Sequence, residues 1–264
     1  MDLGLKGKVV LVTGGAGRLG RAICAAFARE GAHVAVADLN ADGAAATAQR
    51  LSTNGTRATG VSGDVSCKED VHRMLDEVTQ HLGPVDVLVN AHGIFPNIPL
   101  LEVEVDEWDR IFAINTRGTM LTCQAVGNQM AQRGAKGSIV NISSGAATSA
   151  RIGGAAYCGS KAAVNLLTEA LAIELGPLGI RVNAVAPGLI MDEVLRDGDQ
   201  HASGYVNLML QGTPMRRTGA PEDIAEAAVY LAGENNSWLT GSVLQVTGGS
   251  HCGRPHVPLS RNLR

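Results

Sequence analysis

Excess charge and long apolar runs are both missing from this chain. Across 264 residues, 22 lysines and arginines are set against 25 aspartates and glutamates, for a formal net charge of −3. That balance gives no basic field for a nucleic-acid backbone. No segment approaches about 20 unbroken apolar residues, and the start at Met1 lacks a basic region followed by an apolar run. We therefore expect a cytoplasmic protein without a membrane or nucleic-acid partner.

Paired cysteine spacing is also absent. The five cysteines, an odd number, are Cys24, Cys67, Cys123, Cys158 and Cys252. With no C-x-x-C pair, they predict reduced thiols rather than a disulfide framework. The neighbours His251 and Cys252 are two groups, too few for a zinc site. The sequence therefore predicts no metal.

What the chain does have is a hydrophobic fraction of 45%, enough for a sizeable core in one or two domains. Short apolar, β-branched runs alternate with stretches of helical periodicity. Strands are expected at 8–12, 33–37, 85–90, 137–142, 180–185 and near 242–246. Helices are expected at 21–30, 71–81, 105–133, 155–176 and 221–232. The alternation favours an α/β fold with right-handed crossovers and a parallel sheet.

A glycine-rich turn joins the first strand to the first helix. It reads Thr13-Gly14-Gly15-Ala16-Gly17-Arg18-Leu19-Gly20. Glycine permits positive φ there and lets backbone N–H groups approach a pyrophosphate at the helix N-terminus. The next strand ends at Asp38, whose carboxylate would bond the adenine ribose hydroxyls and repel a 2′-phosphate. The unit predicts a Rossmann-type NAD site.

Two residues in this unit have other interpretations. Asp38 could instead cap the Ala-rich helix that follows Asn40. Arg18 could pair with a 2′-phosphate, which would admit NADP, or be a solvated loop arginine. NAD remains the prediction because the strand–helix–strand unit is complete.

Tyr157 and Lys161 stand four residues apart at the head of a helical stretch. Side chains at this spacing share one helix face. A free phenol, with a pKa of about 10, is a poor acid-base catalyst at neutral pH. We expect the Lys161 ammonium to stabilise the phenolate and lower that pKa. The motif alone is weak, because exposed helices carry it by chance.

From Leu5 to Gly249, the chain resembles a compact, single-domain short-chain dehydrogenase/reductase. The resemblance rests on the glycine turn, Gly63-Asp64-Val65, Asn90-Ala91-His92-Gly93, Asn115, Asn141-Ile142-Ser143-Ser144, the pair Tyr157 and Lys161, and Pro187-Gly188. It implies one doubly wound domain over residues 1–250, with a seven-stranded parallel sheet in the order 3-2-1-4-5-6-7. It also implies a homotetramer, with interfaces on helices 155–176 and 221–232.

The resemblance implies a catalytic tetrad of Asn115, Ser144, Tyr157 and Lys161. Tyr157 would exchange a proton with the substrate oxygen, which Ser144 would hold by a hydrogen bond. Lys161 would lower the tyrosine pKa and hold the nicotinamide ribose, and Asn115 would anchor a water. Ser144 is selected over Ser143 because the family serine lies thirteen positions before the tyrosine. The plain alternatives are a strand end at the serines, a helix bend at Asn115 and an exposed lysine.

The resemblance also implies a set of cofactor contacts. Asp64 and Val65 would line the adenine, and residues 90–93 would lie beneath the nucleotide. The expected set is Gly14, Gly17, Arg18, Leu19, Gly20, Asp38, Leu39, Asp64, Val65, Asn90, Ala91, His92, Gly93, Tyr157, Lys161, Pro187, Gly188 and Ile190.

Four positions depart from the family pattern. Arg18 replaces a glycine, and His92 stands where alanine is common. Asp192 replaces a threonine that usually touches the nicotinamide carboxamide, and Thr247 replaces an aspartate. His92 could contact cofactor or substrate, or it could be a packed loop histidine. Cys158 beside Tyr157 is expected to be a small packed thiol.

Residues 189–214 are predicted to form a lid that selects the substrate. This stretch mixes Met191, Leu195, Tyr205, Leu208 and Met209 with Asp192, Glu193, Arg196, Asp197 and Asp199. A pair of solvated surface helices is the alternative. The extension 251–264 is either a frayed terminus or a segment that crosses a subunit boundary.

Together these features predict an NAD-dependent oxidoreductase that interconverts a secondary alcohol, such as a polyol, sugar or cyclic alcohol, and its ketone. A 3-oxoacyl thioester reductase is one alternative, although such enzymes usually favour NADPH. A dinucleotide-binding sensor or scaffold without turnover is another. A sugar-nucleotide epimerase shares the tyrosine–lysine spacing but needs a larger substrate domain.

Overall fold

A single parallel sheet forms the centre of the computed structural model, which describes residues 2–52, 56–196, 199 and 203–253. Its strands run in the order β3-β2-β1-β4-β5-β6-β7. This confirms the predicted fold class and strand order. The strands are β1 Val9–Thr13, β2 His33–Asp38, β3 Ala58–Ser62, β4 Val87–Asn90, β5 Gly137–Ile142, β6 Ile180–Pro187 and β7 Val243–Val246.

Helices cover both faces of the sheet. They are α1 Arg18–Arg29, α2 Ala41–Leu51, α3 Lys68–His81, α4 Val105–Phe112, α5 Gly118–Gln132, α6 Ala155–Leu175, α7 Gly204–Gln211 and α8 Pro221–Ala232. Successive β1 residues point to opposite faces. Val10 and Val12 pack in a core with α1 and α8, and Val9 and Leu11 pack in a second core with α3 and α5. Burial on both faces explains why β1 is apolar throughout.

Two features were not located from the sequence pattern. Strand β3 has one buried residue among its five, so its apolar signal is weak. The helical stretch predicted at 105–133 is interrupted by a π-helical segment, Ala113–Arg117, between α4 and α5. Backbone hydrogen-bond patterns of this kind have no hydrophobic period of their own, so the sequence does not reveal them.

The strand order places the functional crevice. Neighbours on either side of β1 are β2 and β4, so the crossovers leave in opposite directions there. Ligands of doubly wound sheets bind outside the carboxyl ends of the strands at such a point. The glycine turn after β1 and the residues after β4 and β5 all lie at this edge. None of the described helices is long and apolar enough to cross a membrane.

Candidate active site

The glycine turn has the backbone geometry that a close ligand approach requires. Gly14 has a φ of +66°, and a Cβ there would lie 2.7 Å from the His92 backbone. A Cβ on Gly20 would lie 2.1 Å from the Gly14 carbonyl oxygen, so α1 can pack here only without a side chain. Gly17 precedes α1 and provides no side-chain cap. The N–H groups of the first turn of α1 are therefore left for a ligand.

Asp38 lies against this turn. One of its carboxylate oxygens accepts the Ala16 N–H at 3.0 Å, and the other accepts the Asn40 N–H at 3.0 Å. Asn40, not Asp38, caps α2 by accepting the Gly43 N–H. The capping interpretation of Asp38 is therefore wrong. Its carboxylate lies beside the glycine turn, and its contact with the adenine ribose stays a prediction.

Arg18 is directed toward the opposite wall of the crevice. Its Nε lies 3.9 Å from a carboxylate oxygen of Asp192, and both side chains are substantially exposed. Ion pairs this exposed contribute little to stability. The pairing nevertheless places the arginine near an acidic group, which competes with a 2′-phosphate for the guanidinium. Leu19 is partly buried in the core, and Leu39 beyond Asp38 is 75% exposed.

The turn after β3 contains the two residues that were predicted to line the adenine. Asp64 accepts hydrogen bonds from the N–H and the hydroxyl of Ser66, so its carboxylate closes its own turn. Val65 packs against the second core and lies close to Gly118 at the start of α5. A direct contact between either residue and the adenine stays a prediction.

The residues after β4 form the buried floor. Asn90 is 2% exposed, and its amide donates to Asn141 while its carbonyl accepts from Thr122. The side chain of Asn90 thus joins β4 to β5 and α5 rather than projecting into the crevice. His92 is also buried, between hydroxyl groups. Of the two interpretations of His92, the structure therefore favours the packed loop histidine: its backbone lies against Gly14, and its ring is hydrogen-bonded to Thr13 at the start of the glycine turn.

Asn115 lies within the π-helical segment and is fully buried. Its carboxamide makes a pair of 2.9 Å hydrogen bonds with the backbone of Ile94, and its amide also donates to the Ser160 hydroxyl at 3.0 Å. The side chain thus holds the loop after β4 against α6. The sequence interpretation had this residue anchoring a water; in the structure its side-chain donors are engaged by protein groups.

The two serines after β5 face different ways. The Ser143 hydroxyl donates to Asn165 on α6, deep in the protein. Ser144 is partly exposed, and its hydroxyl acts on Tyr157 to lower the tyrosine pKa. The structure therefore agrees with the choice of Ser144 as the serine beside the tyrosine.

Lys161 lies beneath the crevice, one helical turn after Tyr157. It is 5% exposed, and its ammonium donates to the Ile142 carbonyl at 2.8 Å. Burial lowers its pKa to about 8, because a desolvated ammonium loses its hydration. A Cβ on Gly93 would lie 3.4 Å from the lysine Nζ and 3.3 Å from the Asn115 Oδ1. The glycine keeps the space next to both groups open.

The Tyr157 pKa differs from the sequence-based expectation. Burial raises this pKa, while the hydrogen bond with Ser144 and the positive charge of Arg151 lower it. The expectation assigned the lowering to Lys161, but here the ammonium is directed at the Ile142 carbonyl. Arg151 takes that part, with its guanidinium carbon 5.6 Å from the centre of the tyrosine ring.

Sequence reasoning missed two residues at this ring. Arg151 lies in the loop before α6 and also reaches the Tyr205 hydroxyl at 3.4 Å. Phe95 meets the ring edge-on, with centroids 6.3 Å apart, and is 64% exposed. Neither carries a motif, because contacts between loops leave no local pattern. Sequence reasoning also passed over Ser160, which bonds to Asn115 and to the Tyr157 carbonyl. Its position between Tyr157 and Lys161 was a signal that could have identified it.

The far wall of the crevice follows β6. Gly188 packs so closely on Thr247 that a Cβ would lie 2.8 Å from its Cα, and the Gly188 N–H donates to the Val246 carbonyl. Pro187 ends β6, and Ile190 is buried. Thr247 is buried and hydrogen-bonded to His251, in keeping with a structural role.

The segment after this wall contains α7. Leu195, Val206 and Leu210 form a small apolar cluster that is separate from the two main cores. Asp197 lies outside the described residues, as does the part of the extension from 254 to 264.

Cysteine and metal predictions can be compared with the described residues. All five cysteines are free, with Cys24, Cys123 and Cys158 buried. Within the described ranges, no cluster of three or more histidine, cysteine or acidic side chains could hold a metal. Cys158 is packed close to Gly154, as expected of a small buried thiol.

Comparison with known proteins places this site in a family. Residues 14–251 match a family model described as enoyl-(acyl carrier protein) reductase. D-threitol dehydrogenase of Mycolicibacterium smegmatis is 39% identical over 248 residues, covering 94% of each chain.

Two solved structures are similar along nearly their whole length. A short-chain type dehydrogenase/reductase from Mycobacterium marinum has a TM-score of 0.87 at 34% identity, covering 96% of this chain and 98% of that one. An NAD+-bound xylitol dehydrogenase has a TM-score of 0.85 at 32% identity, covering 93% and 99%. The fold, the glycine turn and these similarities agree: the chain belongs to the short-chain dehydrogenase/reductase family and is an oxidoreductase acting on CH–OH groups.

Proposed function

We propose that this enzyme uses NAD to interconvert a polyol, sugar or cyclic secondary alcohol and its ketone, with Tyr157 as the acid-base group. One observation carries the proposal: Asn115 is joined through Ser160 to the Tyr157 backbone, and Ser144 acts on the tyrosine side chain. Lys161 lies one helical turn after Tyr157 and is bonded to the end of β5, so all four groups lie at the carboxyl edge of the sheet.

The residues on the nucleotide side fit NAD. The glycine turn leaves the α1 N–H groups free for a pyrophosphate, and Asp38 lies beside that turn. A carboxylate there favours ribose hydroxyls over a 2′-phosphate. Bound NAD supplies a nicotinamide ring that accepts or releases hydride.

The protein's own part is to hold and move a proton. The Ser144 hydroxyl binds the substrate oxygen and stabilises the charge that develops on it. Tyr157 takes the hydroxyl proton during oxidation and returns it during reduction. The Lys161 ammonium stays buried under the crevice and favours the phenolate once the substrate excludes water.

The polyol class is favoured by two relatives. The D-threitol and xylitol dehydrogenases both carry the name of a linear polyol, and each matches this chain over more than nine-tenths of its length. The matching family model, in contrast, is named for an acyl carrier protein substrate. An acyl thioester is therefore the second candidate, in the 3-oxo form whose reduction gives a CH–OH group.

The test is a panel of polyols, sugars, cyclic alcohols and 3-oxoacyl thioesters, each measured with NAD and NADP by absorbance at the NADH band. We expect oxidation of at least one polyol or sugar with NAD. Tyr157→Phe should lower kcat at least a thousandfold, because the proton acceptor is lost. Its NAD affinity, measured by NADH fluorescence, should stay within about threefold.

Tyr230→Phe is the matched control, since this tyrosine lies on α8 outside the crevice and is 47% exposed. It should keep full activity. Turnover only with acyl thioesters would replace the first substrate class by the second. A Tyr157→Phe variant with nearly full activity would contradict the assigned chemistry.

We also propose that residues 189–214 form the lid over the substrate.

A further proposal is that the enzyme is a homotetramer in the cytoplasm. Leu166 and Ile173 on α6 are 68% and 77% exposed, so this helix has an apolar face to offer a second subunit. The free cysteines agree with a reducing compartment. Light scattering of the native protein and of a Leu166→Glu variant tests the assembly, which the variant should weaken.

A further inference from the structure

His92 is a polar side chain enclosed between the glycine turn and α5. It is 8% exposed, with its Nδ1 2.6 Å from the Thr13 hydroxyl and its Nε2 3.4 Å from the Thr119 hydroxyl. Burial, and repulsion by the Lys161 charge, lower the His92 pKa to about 3. The ring is therefore neutral in the working range, with one nitrogen donating and the other accepting.

The neighbouring hydroxyls decide which nitrogen carries the hydrogen. The Thr119 hydroxyl donates to the Asn115 carbonyl at 2.8 Å. Its single hydrogen is thereby used, so its oxygen is left as an acceptor for the Nε2–H of His92. The imidazole also bonds to the backbone of Ile114, which lies in the π-helical segment. Nδ1 then accepts from Thr13, which lies nearer to it than to the Asn90 carbonyl at 3.2 Å. In this tautomer, the Thr13 hydroxyl, the His92 Nε2–H and the Thr119 hydroxyl each donate to an acceptor.

The far end of this chain is the π-helical segment. The Gly118 N–H donates to the Ala113 carbonyl five residues back, which marks the departure from α-helical geometry. A Cβ on Gly118 would lie 3.2 Å from the His92 Nε2 and 2.9 Å from Val65. The imidazole therefore packs in space that the missing side chain leaves, at the point where the helix widens around Asn115.

From Asn115 the contacts continue to the catalytic helix. The Asn115 amide donates to the Ser160 hydroxyl at 3.0 Å, and Ser160 donates to the Tyr157 carbonyl at 2.8 Å. Thr116, also in the π-helical segment, donates to the Ser160 carbonyl. A displacement of this segment would therefore reach the backbone that carries Tyr157.

We propose that His92 is a positioning residue that braces the π-helical segment against the end of β1 and thereby sets Asn115 and the head of α6 for the reaction. The inference rests on the proposed function. It concerns a residue that touches no reacting atom and acts through Thr119 and Asn115.

The first experiment compares His92→Gln, His92→Asn and His92→Ala. The glutamine amide reaches about as far as Nε2 and keeps the donor toward Thr119, whereas asparagine reaches about as far as Nδ1. We expect kcat to fall about tenfold or more in the Asn and Ala variants, with the alcohol KM and the NAD affinity within about threefold. His92→Gln should recover most of the loss.

The second experiment places His92→Ala in an Asn115→Ala background. If His92 acts through Asn115, the second change should lower kcat less than about twofold further. Equal losses for Gln and Ala, or losses that multiply in the double variant, would overturn the inference. If His92→Ala does not fold, Thr119→Val and Thr119→Ser replace it, with serine expected to retain the rate.

A nitrogen NMR measurement separates this inference from the proposed function. The wild-type ring should show the Nε2–H tautomer and no titration between pH 5 and 9. If the enzyme turned over no alcohol, the proposed function would be wrong. The NMR spectrum would still test the hydrogen bonds of His92, because it does not depend on activity. The opposite tautomer, or a ring that titrates near pH 6.5, would refute the bracing role even in a fully active enzyme.

Discussion

The residues at the floor of the crevice are buried and hydrogen-bonded, whereas those at its mouth are exposed. At the floor, Asn115 and Lys161 are 0% and 5% exposed, and each is hydrogen-bonded to neighbouring backbone. At the mouth, Phe95 and Tyr205 are 64% and 52% exposed; Phe95 contacts the Tyr157 ring, and the Tyr205 hydroxyl accepts a hydrogen bond from Arg151. Buried, bonded groups hold a fixed geometry, and exposed groups can change with the substrate. The comparison assigns chemistry to the floor and selectivity to the mouth.

The largest expected effect comes from the floor. Lys161→Met should abolish measurable turnover, because it removes the ammonium that we propose favours the phenolate once substrate and NAD are bound. Steady-state rates and NADH fluorescence check this, with Lys136→Met at an exposed position as the control. A Lys161→Met rate within tenfold of the wild-type rate would contradict the assignment of the chemistry to the floor of the crevice.

The same variant should be more stable than the wild type. The folded-state pKa of Lys161 is about 8, below its ordinary value of 10.5, so between these values the unfolded chain takes up a proton that the folded chain does not. The destabilisation grows as the pH falls from 10.5 to 8 and is fully present at pH 7. Removing it should raise the unfolding free energy by about 1–2 kcal/mol, after loss of the bond to Ile142. Thermal melts at pH 7 check the sign.

The nucleotide side should show the next largest effect. Asp38→Ala should raise the preference for NADP over NAD by about ten- to a hundredfold, because the repulsion of a 2′-phosphate is lost. Asp42→Ala, in the first turn of α2, is the matched control. Adding Asp192→Ala frees Arg18 from its pairing and should increase NADP use further. An unchanged cofactor ratio in Asp38→Ala would contradict the placement of the ribose.

The mouth should act on the pH profile rather than on the chemistry. Because the charge of Arg151 lowers the Tyr157 pKa, Arg151→Gln should raise it. Oxidation needs the phenolate, so the rising limb of the rate should move up by about half a pH unit and the rate at pH 7 should fall two- to threefold. Arg50→Gln on α2 is the control. If the rising limb moved toward lower pH instead, Arg151 would not be lowering the Tyr157 pKa.

The smallest effect is expected from Tyr205→Phe, which removes the hydroxyl that Arg151 reaches. An exposed hydrogen bond contributes little, so the alcohol KM should change by about twofold and kcat should stay unchanged. A large fall in kcat would show that the mouth takes part in the chemistry and would end the proposed division.

Local pattern was sufficient for the elements that carry the cofactor and the tyrosine. The runs 8–12, 21–30 and 33–37 predicted β1, α1 and β2 within three residues, because apolar periodicity and glycine positions encode local geometry. The same information failed at β3, where a half-exposed edge strand carries little apolar signal.

Distant contacts were beyond such reasoning. His92 and Thr13 are 79 residues apart in sequence, and Arg151 meets Tyr205 from 54 residues away. Nothing in the spacing of either residue indicates its partner. The sequence likewise did not indicate that the charge of Arg151 lowers the Tyr157 pKa, an effect that was expected of Lys161.

The sequence by itself determined the class of fold, the glycine turn, the acidic residue at the end of β2 and the order of the four catalytic candidates, because each depends on spacing along one or two neighbouring elements. Only the tertiary structure decided that His92 is packed and neutral, that the Asn115 side chain is bonded to Ile94, and that Arg151 lies over the tyrosine ring. These facts depend on which strand ends and loops meet in space, and burial acts on a pKa only once that meeting has occurred.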